Sequence, residues 1–385
     1  MVTNLFGCDF FCAFFGADLR GGDEMLMAHD ANQQAINATV AHRKTGYHCP
    51  GCQAPVQLKR GTVMTPHFAH QRDQACQTFS EGETAEHLLG KQQLAAWFLA
   101  SGYKVQLEAP LTAIHQRPDL LVQLPGQKPL AIEFQCSPLA VPRLKARTLG
   151  YRQHGYRVLW VLGTPYQQAR LRPTSKALKF LQYNQQWGCY LAFWDVQQVA
   201  LCLRFNLLGF DGDPLQSQRQ LFWSQRQPVD QLMTYRPTLL VPQIVAEQFQ
   251  RRQRRLVIGR LTRQPRFMAL QTLCYQHGGT LATLPLWVYP MQAKLPILTT
   301  AFLAWQVQLF IALRKQPVQV WSLLALRQLI WQTLQPCLAP MSCIETPRHL
   351  CQHLIQTCLN ELMTKQVIRP VAGGWRVVQR QLAWR

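Results

Sequence analysis

Acidic residues are scarce in this 385-residue chain, which has 19 Asp and Glu against 40 Lys and Arg and a formal net charge of +21. A chain with so few carboxylates attracts polyanions, nucleic acid first and an anionic membrane surface second, unless the excess serves only solubility. Charged residues make up 15% of the chain and hydrophobic residues 48%, which excludes a disordered protein. The length favours two or three packed domains.

A disulfide framework, a secretion signal and a membrane-spanning run are also missing from the sequence. The 13 cysteines are an odd number and mostly stand singly among apolar residues, which is typical of a reduced, cytoplasmic protein. The apolar stretch at residues 5–15 contains Asp9 and lacks a basic leader, so we interpret residues 1–24 as an N-terminal extension. The run at residues 295–313 is interrupted by glutamines and predicts a buried or amphipathic helix rather than a membrane span.

A cluster of cysteine and histidine near the start of the chain predicts a small zinc-finger-like domain. Cys49-Pro-Gly-Cys52 places two thiolates in a tight turn, a standard spacing for tetrahedral zinc. His67 and His70 follow as imidazole ligands, with Cys76 as an alternative because the histidine spacing is shorter than usual. A structural Zn²⁺ would stabilise a segment too small for its own core. The alternative is a hairpin with a free cysteine pair and a packed His67.

The middle of the chain, residues 81–165, alternates between helical and strand periods in the order α-β-β-β-α-β. Ser80 and Glu83 match a capping box at the start of the first helix. Residues 138–154 predict the second helix, and the apolar run at 156–162 predicts the last, buried strand. This block therefore predicts an α/β core.

Asp119, Glu133 and Gln135 are the candidate catalytic centre of that core. Glu133 and Gln135 stand two apart in a strand and share one face, and Asp119 enters the preceding strand, so a turn brings it beside Glu133. Two carboxylates in a basic protein suit Mg²⁺ or Mn²⁺, which would activate a phosphodiester for hydrolysis. On the preceding helix, Glu86 is the candidate third carboxylate, and Lys91 supplies the cation that Gln135 lacks. The alternative is a set of solvated or capping carboxylates.

Residues 166–385 are rich in Gln, Leu, Trp and Arg and predict a basic, mostly α-helical C-terminal domain. A helix from about residue 348 to 365, followed by a hairpin with a Gly373-Gly374 turn, has the outline of a winged-helix element. A plain packing hairpin is the alternative. Basic residues beside the acidic centre and in the densest basic run are the candidate nucleic-acid contacts, unless they form a solvated helix face. They are Arg117, Arg143, Lys145, Arg147, Arg251, Arg252, Arg254 and Arg255.

Residues 25 to about 165 resemble the competence protein CoiA family. The resemblance implies a PD-(D/E)xK, restriction-endonuclease-like core and a cytoplasmic role in natural transformation, on incoming single-stranded DNA and its recombinase-driven joining to the chromosome. By position, the resemblance assigns the metal to Asp119 and Glu133, and Gln135 replaces the usual lysine. Its motifs are Cys49-Pro-Gly-Cys52, His67-Phe68-Ala69-His70, Glu83-Thr84-Ala85-Glu86-His87 with Lys91, Arg117-Pro118-Asp119, and Ile132-Glu133-Phe134-Gln135-Cys136-Ser137.

We therefore expect a zinc-finger-like domain at residues 25–80, a nuclease-like domain at 81–165 and a helical C-terminal domain. The expected function is metal-dependent cleavage of single-stranded or branched DNA during transformation and recombination, with a recombinase and other competence proteins as possible partners. One alternative is a catalytically weak nuclease-fold module that binds DNA and assists a recombinase. The other is a zinc-containing transcription regulator.

Overall fold

The computed structural model describes residues 24–43, 45–61, 64–71, 84–240 and 246–385. Residues 1–23 of the predicted extension lie outside these ranges, as do Cys76, Ser80 and Glu83. Within them, no helix combines the length and apolar character that crossing a membrane requires.

The N-terminal segment forms an antiparallel sheet around a small apolar core. Tyr47 and Phe68 pack there with ring centroids 4.8 Å apart, and both side chains are buried. The strand order is β1-β6-β5-β4-β2-β3. The strands are β1 (Glu24–Met25), β2 (Met27–His29), β3 (Ala35–Asn37), β4 (Tyr47–His48), β5 (Pro55–Lys59) and β6 (His67–His70).

The next elements follow the predicted α-β-β-β-α-β order. The first helix begins at Ala85, later than the predicted capping box, because Thr84 is extended and its hydroxyl accepts from the His87 backbone N–H at 3.2 Å. The elements are α1 (Ala85–Ala100), β7 (Lys104–Leu107), β8 (Leu120–Gln123), β9 (Leu130–Gln135), α2 (Val141–Gln153) and β10 (Arg157–Leu162).

The central sheet continues beyond the boundary that the sequence predicted at residue 165. Its order is β14-β13-β12-β10-β9-β8-β7, with β9, β10 and β12 parallel and β11 paired to β12. Hence the segment at 182–223, predicted as mostly helical, extends this sheet instead. The added strands are β11 (Gln182–Asn184), β12 (Gly188–Asp195), β13 (Ala200–Leu208) and β14 (Gln216–Trp223).

The remaining C-terminal part is mostly helical, as predicted, and ends in a small sheet of order β15-β17-β16. Helix α6 overlaps the run at residues 295–313 that predicted a buried or amphipathic helix, and it buries Trp305 and Phe310. The elements are α3 (Val229–Met233), α4 (Ala246–Leu261), α5 (Pro265–Gln276), α6 (Phe302–Arg314), β15 (Val320–Trp321), α7 (Leu323–Leu334), α8 (Pro347–Thr364), β16 (Ile368–Val371) and β17 (Gly374–Val377).

The two faces of the central sheet are covered by different helices. Alternation along β9 directs Ile132 and Phe134 into a core with α1, where a Cβ on Gly90 would lie 2.1 Å from the Phe134 ring. Trp160 and Leu162 of β10 face the opposite core, which they share with α2 and the C-terminal helices. The C-terminal region therefore packs on the nuclease-like sheet and helps to enclose the α2 side of β9.

Candidate active site and metal centre

Asp119 and Glu133 lie opposite each other across the β8–β9 pair. The antiparallel register pairs Leu120 with Ile132, and continuing it by one residue brings Asp119 level with Glu133. The Phe134 backbone N–H donates to Asp119 Oδ2 at 2.7 Å, which fixes the Asp119 side chain against β9. The register thus places the two acidic residues that the sequence singled out opposite each other on neighbouring strands.

Both oxygens of the buried Glu133 carboxylate are held by helix α2. Arg147 Nη2 lies 2.7 Å from Oε1 and 2.6 Å from Oε2, and the Tyr151 hydroxyl donates to Oε1. Burial, and then the negative charge of Glu133, raise the pKa of Tyr151 well above its ordinary value, so that it remains a donor at neutral pH. Arg147, predicted to contact phosphate, is therefore an ion-pair partner of Glu133 in this structure. Tyr151 was not among the residues predicted for the site, although it stands four residues after Arg147 on the same helical face.

The Asp119 carboxylate lies beside an imidazole and an ammonium group. His87 Nε2 lies 3.2 Å from Oδ2, and Lys91 Nζ lies 4.0 Å from Oδ1. Burial by itself would raise the pKa of Asp119, but His87, Lys91 and Arg147 together hold that pKa below its usual value. Asp119 is therefore an ionised carboxylate at neutral pH, the form that can bind a metal cation.

Lys91 is a buried structural cation, with its side chain fully enclosed. Its Nζ lies 2.6 Å from Glu108 Oε1, and Arg117 Nη1 lies 3.5 Å from Glu108 Oε2. Glu108 also accepts the backbone N–H groups of Leu26 at 2.9 Å and Met27 at 3.3 Å. These contacts join the N-terminal sheet to the central sheet. The geometry of Lys91 therefore favours a structural role over the predicted role of binding a phosphate.

Glu108 lay outside the sequence-based candidates. Burial would raise the pKa of Glu108, but the charges of Lys91 and Arg117 hold it below the ordinary value of 4.5. The joint between the two sheets therefore depends on an ionised carboxylate.

Glu86 and Gln135 reach the same end of the sheet as the acidic pair. Glu86 Oε1 accepts from the Thr164 backbone N–H at 2.7 Å, in the turn after β10. The Gln135 amide donates to the carbonyl and the hydroxyl of Ser137, each at 3.0 Å. Gln135 is buried and held in place, and Glu86 fixes the β10 turn.

The donor chemistry of Asp119 and Glu133 fits a hard divalent cation. Carboxylate oxygens are the ligands that Mg²⁺ and Mn²⁺ prefer, and one of the two carboxylates is held ionised by its surroundings. Since Arg147 bonds both oxygens of Glu133, a metal at Glu133 would compete with this arginine for the carboxylate.

A second candidate metal site lies in the N-terminal sheet. One ligand atom from each of Cys49, Cys52 and His70 falls within 4.8 Å of the others, and Cys52 Sγ is 3.3 Å from His70 Nε2. A backbone hydrogen bond from Cys49 N–H to the Ala54 carbonyl, 2.9 Å long, closes the turn that presents the two thiols. Two sulfurs and one imidazole suit the tetrahedral N/S geometry of zinc.

His67 does not join this group, contrary to the prediction of a His67–His70 ligand pair. The two residues lie three apart in strand β6, so their side chains point to opposite faces of the sheet. His67 Nδ1 instead lies 2.9 Å from the Thr65 carbonyl oxygen. Cys76, the predicted alternative ligand, stays a prediction outside the described residues.

The predicted nucleic-acid contacts differ in their exposure to solvent. Arg117 and Arg147 pair with Glu108 and Glu133 as described above. Arg252 and Arg255 of α4 bind the Asp213 carboxylate, at 2.9 and 2.7 Å. The exposed members of the set are Arg143 and Lys145 on α2 and Arg251 and Arg254 on α4.

Comparison with known families gives one match for the N-terminal sheet and another for the central sheet. Residues 28–79 match the family model for the Competence protein CoiA, N-terminal domain, and residues 83–237 match that for the Competence protein CoiA, nuclease-like domain. The chain belongs to the competence protein CoiA family. The nuclease-like match of this CoiA family member runs beyond residue 165 and includes β11–β14, in agreement with the extended sheet.

One curated member of the CoiA family, the Competence protein CoiA of Bacillus subtilis (strain 168), is 33% identical to the chain over 135 residues. That alignment spans about a third of each protein, 35% of this chain and 35% of the relative. No solved structure matches the chain.

Proposed function

We propose that this CoiA family protein is a metal-dependent nuclease that processes single-stranded or branched DNA during natural transformation. The observation that carries the proposal is the placement of Asp119 level with Glu133 across β8–β9, within the nuclease-like domain. The basic composition supports a polyanionic substrate. A PD-(D/E)xK assignment of the core, a cytoplasmic location and a recombinase partner belong to the same proposal.

In this proposal Asp119 and Glu133 bind Mg²⁺ or Mn²⁺. The bound metal would neutralise phosphate charge and activate water for attack on phosphorus. His87 holds the Asp119 carboxylate, and Tyr151 holds Glu133, so both ligands are oriented before the cation binds. When Arg147 leaves Glu133, its guanidinium is released beside the scissile group and can bind non-bridging phosphate oxygens. Arg147 thereby supplies the positive charge that Gln135 lacks.

The N-terminal Cys49–Cys52–His70 group is proposed to hold a structural Zn²⁺. The N-terminal sheet has only a small apolar core, so a metal that ties the thiol turn to β6 would contribute directly to its stability.

Cleavage of labelled single-stranded, duplex and branched DNA with Mn²⁺ or Mg²⁺ tests the nuclease proposal. The isosteric variants Asp119→Asn and Glu133→Gln should lose cleavage while binding DNA as the wild type does. Asp195→Asn, at the last residue of β12, removes a carboxylate of similar size that contacts neither member of the acidic pair and should cleave normally. Cleavage that persists in both site variants, or that metal chelation leaves unchanged, would refute the proposal.

A second candidate function is a DNA-binding module that assists a recombinase without cleaving. The engagement of both Glu133 oxygens by Arg147, together with glutamine in place of lysine at Gln135, favours it. Such a module binds DNA equally well in chelator, and wild-type protein would cleave none of the three substrates.

The transcription-regulator alternative requires duplex recognition that survives deletion of residues 81–163. Because the C-terminal helices share a core with β10 and α2, that deletion would expose their apolar side chains. The packing therefore gives this alternative no support.

A further inference from the structure

The last part of the chain has the topology of a winged helix. Helix α6, strand β15, helices α7 and α8, and the β16–β17 hairpin follow in that order, and β15 pairs with β17 to give the sheet β15-β17-β16. In helix-turn-helix proteins the second helix of the pair enters the major groove of DNA. We propose that the outer face of α8 and the β16–β17 hairpin, here called the wing surface, binds duplex DNA. The inference does not depend on the proposed nuclease activity.

Helix α8 separates an apolar inner face from a polar outer face. Leu350, Leu354 and Cys358 are buried in the shared core. The exposed side chains of α8, none of them acidic, recur at helical spacing. They are Arg348, His349, Gln352, His353, Gln356, Asn360 and Thr364. Arginine, glutamine and asparagine are the side chains that form paired hydrogen bonds with base edges in the major groove.

Hydrogen bonds hold two of the exposed amide side chains of α8 in place. Arg327 of α7 donates to Gln356 Oε1 at 2.7 Å, and Gln356 Nε2 donates to Asn360 Oδ1 at 3.0 Å. The chain of hydrogen bonds connects the two helices and fixes the outer face of α8, which lowers the entropic cost of binding.

The hairpin carries a charge arrangement that is unfavourable without an anion. Arg369 and Arg376 stand directly opposite each other in the β16–β17 register, and both are exposed. Like charges at such positions destabilise a sheet, and within the described part of the chain neither guanidinium forms an ion pair. A phosphate bound between them would remove the repulsion. Gly374 lets β15 approach the hairpin closely, because a Cβ there would lie 2.4 Å from the Trp321 carbonyl oxygen.

Charge and shape favour duplex over single-stranded DNA. Residues 302–385 contain nine Lys and Arg but only two acidic residues, Glu345 and Glu361, and Glu361 is paired with Lys294. Binding of single strands relies on aromatic side chains that stack on bases. The exposed face of α8 carries no Phe, Tyr or Trp, Trp321 beneath the hairpin is buried, and Trp375 of β17 is half-buried.

The wing surface is fixed relative to the nuclease-like core. Arg152 of α2 donates to the carbonyls of Ile344 at 3.0 Å and Cys343 at 2.7 Å, in the loop that leads into α8. The N-terminal end of α8, with Arg348, is thereby anchored to the same helix that carries Arg147. A duplex on the wing surface would lie beside the helix that reaches Glu133.

Fluorescence anisotropy of the full chain tests the inference, with a labelled duplex of about two helical turns and one of its strands alone. Arg348→Ala and Arg376→Ala should each weaken duplex binding roughly five- to tenfold, because each removes a charged contact to phosphate. The slope of log affinity against log salt should fall by about 0.9 per lost contact. Arg376→Lys, which keeps the charge, should retain most of the affinity.

Arg170→Ala is the matched control, since Arg170 is also exposed and lies outside the wing surface. It should leave duplex binding within about twofold of wild type, and binding of the single strand should change little in any variant. Duplex affinity unchanged in Arg348→Ala and Arg376→Ala would overturn the proposal. Equal losses on duplex and single strand, or an equal loss in Arg170→Ala, would overturn it as well.

Discussion

Replacement of Lys91 by methionine separates a structural role for this residue from a catalytic one. The side chains of Lys91 and Glu108 are 0% and 1% exposed, and their charged atoms lie 2.6 Å apart. Methionine fills a similar volume but leaves the Glu108 carboxylate buried with Arg117, at 3.5 Å, as its remaining cationic neighbour among the described residues. Breaking a buried ion pair by removing one partner typically costs about 3–5 kcal/mol in the free energy of unfolding. Glu108 also has a left-handed φ of 51°, a strained conformation that these contacts must hold.

The loss of unfolding free energy in Lys91→Met should depend on pH, and the pKa of Glu108 gives the direction. The pKa of Glu108 is held below its unfolded value of 4.5, so the stability that its charge contributes is complete above that pH and is lost as the pH falls through the lower, folded value. In Lys91→Met the carboxylate loses its main partner and protonates more readily. The difference in stability between wild type and variant should therefore be largest at neutral pH and shrink as the pH falls toward 4.5 and below.

Denaturant unfolding of the full chain, followed by circular dichroism, measures both effects. Lys145→Met on the exposed face of α2 is the matched control and should stay within about 0.5 kcal/mol of wild type. In the Lys91→Met/Glu108→Gln double variant both charges are gone, so part of the loss should be recovered. A Lys91→Met protein that is as stable as the control but has no nuclease activity would refute the structural role of Lys91 and favour its predicted catalytic role.

Three further predictions concern the site, the metal centre and the packing of α1. Arg147→Ala should strengthen Mn²⁺ binding in calorimetric titration, because this arginine occupies the carboxylate oxygens that a metal needs; weaker binding would contradict the competition. Elemental analysis of purified wild-type protein should detect bound zinc, which Cys52→Ser should lose and His67→Ala should keep; zinc loss in the latter would return that histidine to the ligand set. Gly90→Ala should cost about 1–3 kcal/mol of stability, because its Cβ would lie 2.1 Å from a phenylalanine ring of β9, while Gly46→Ala, with open space around it, should be nearly neutral.

The pairing of Asp119 with Glu133 was accessible from sequence because it rests on local rules. A strand period of two assigns the faces, and a turn between neighbouring strands sets which residues meet. The role of Lys91 was not accessible in this way, because its partner Glu108 lies 17 residues away and is fixed by backbone groups of another sheet. Helical spacing placed Lys91 on the correct face of α1 but carried no information on the depth of its burial.

Two differences from expectation did have a signal in the sequence. His67 and His70 lie an odd number of positions apart, which in a strand places them on opposite faces. Strand β13 alternates buried Leu201, Leu203 and Phe205 with less buried residues, a period-2 pattern inside a region whose Leu and Gln content favours helix. Here the side-chain period was more informative than composition, because packing against β12 and β14 decides the structure.

In a chain this basic, the rare carboxylates indicate which cations have structural roles. Glu108 engages Lys91 and Arg117, and Asp213 engages two arginines of α4. Glu133 likewise engages Arg147, so several of the predicted phosphate contacts are committed to buried or half-buried acids. The arginines of the wing surface differ from these because no carboxylate of the described chain pairs with them. Since an uncompensated charge is stable only in water or beside an anion, the place to look for a duplex footprint is where basic residues accumulate and acidic ones are absent.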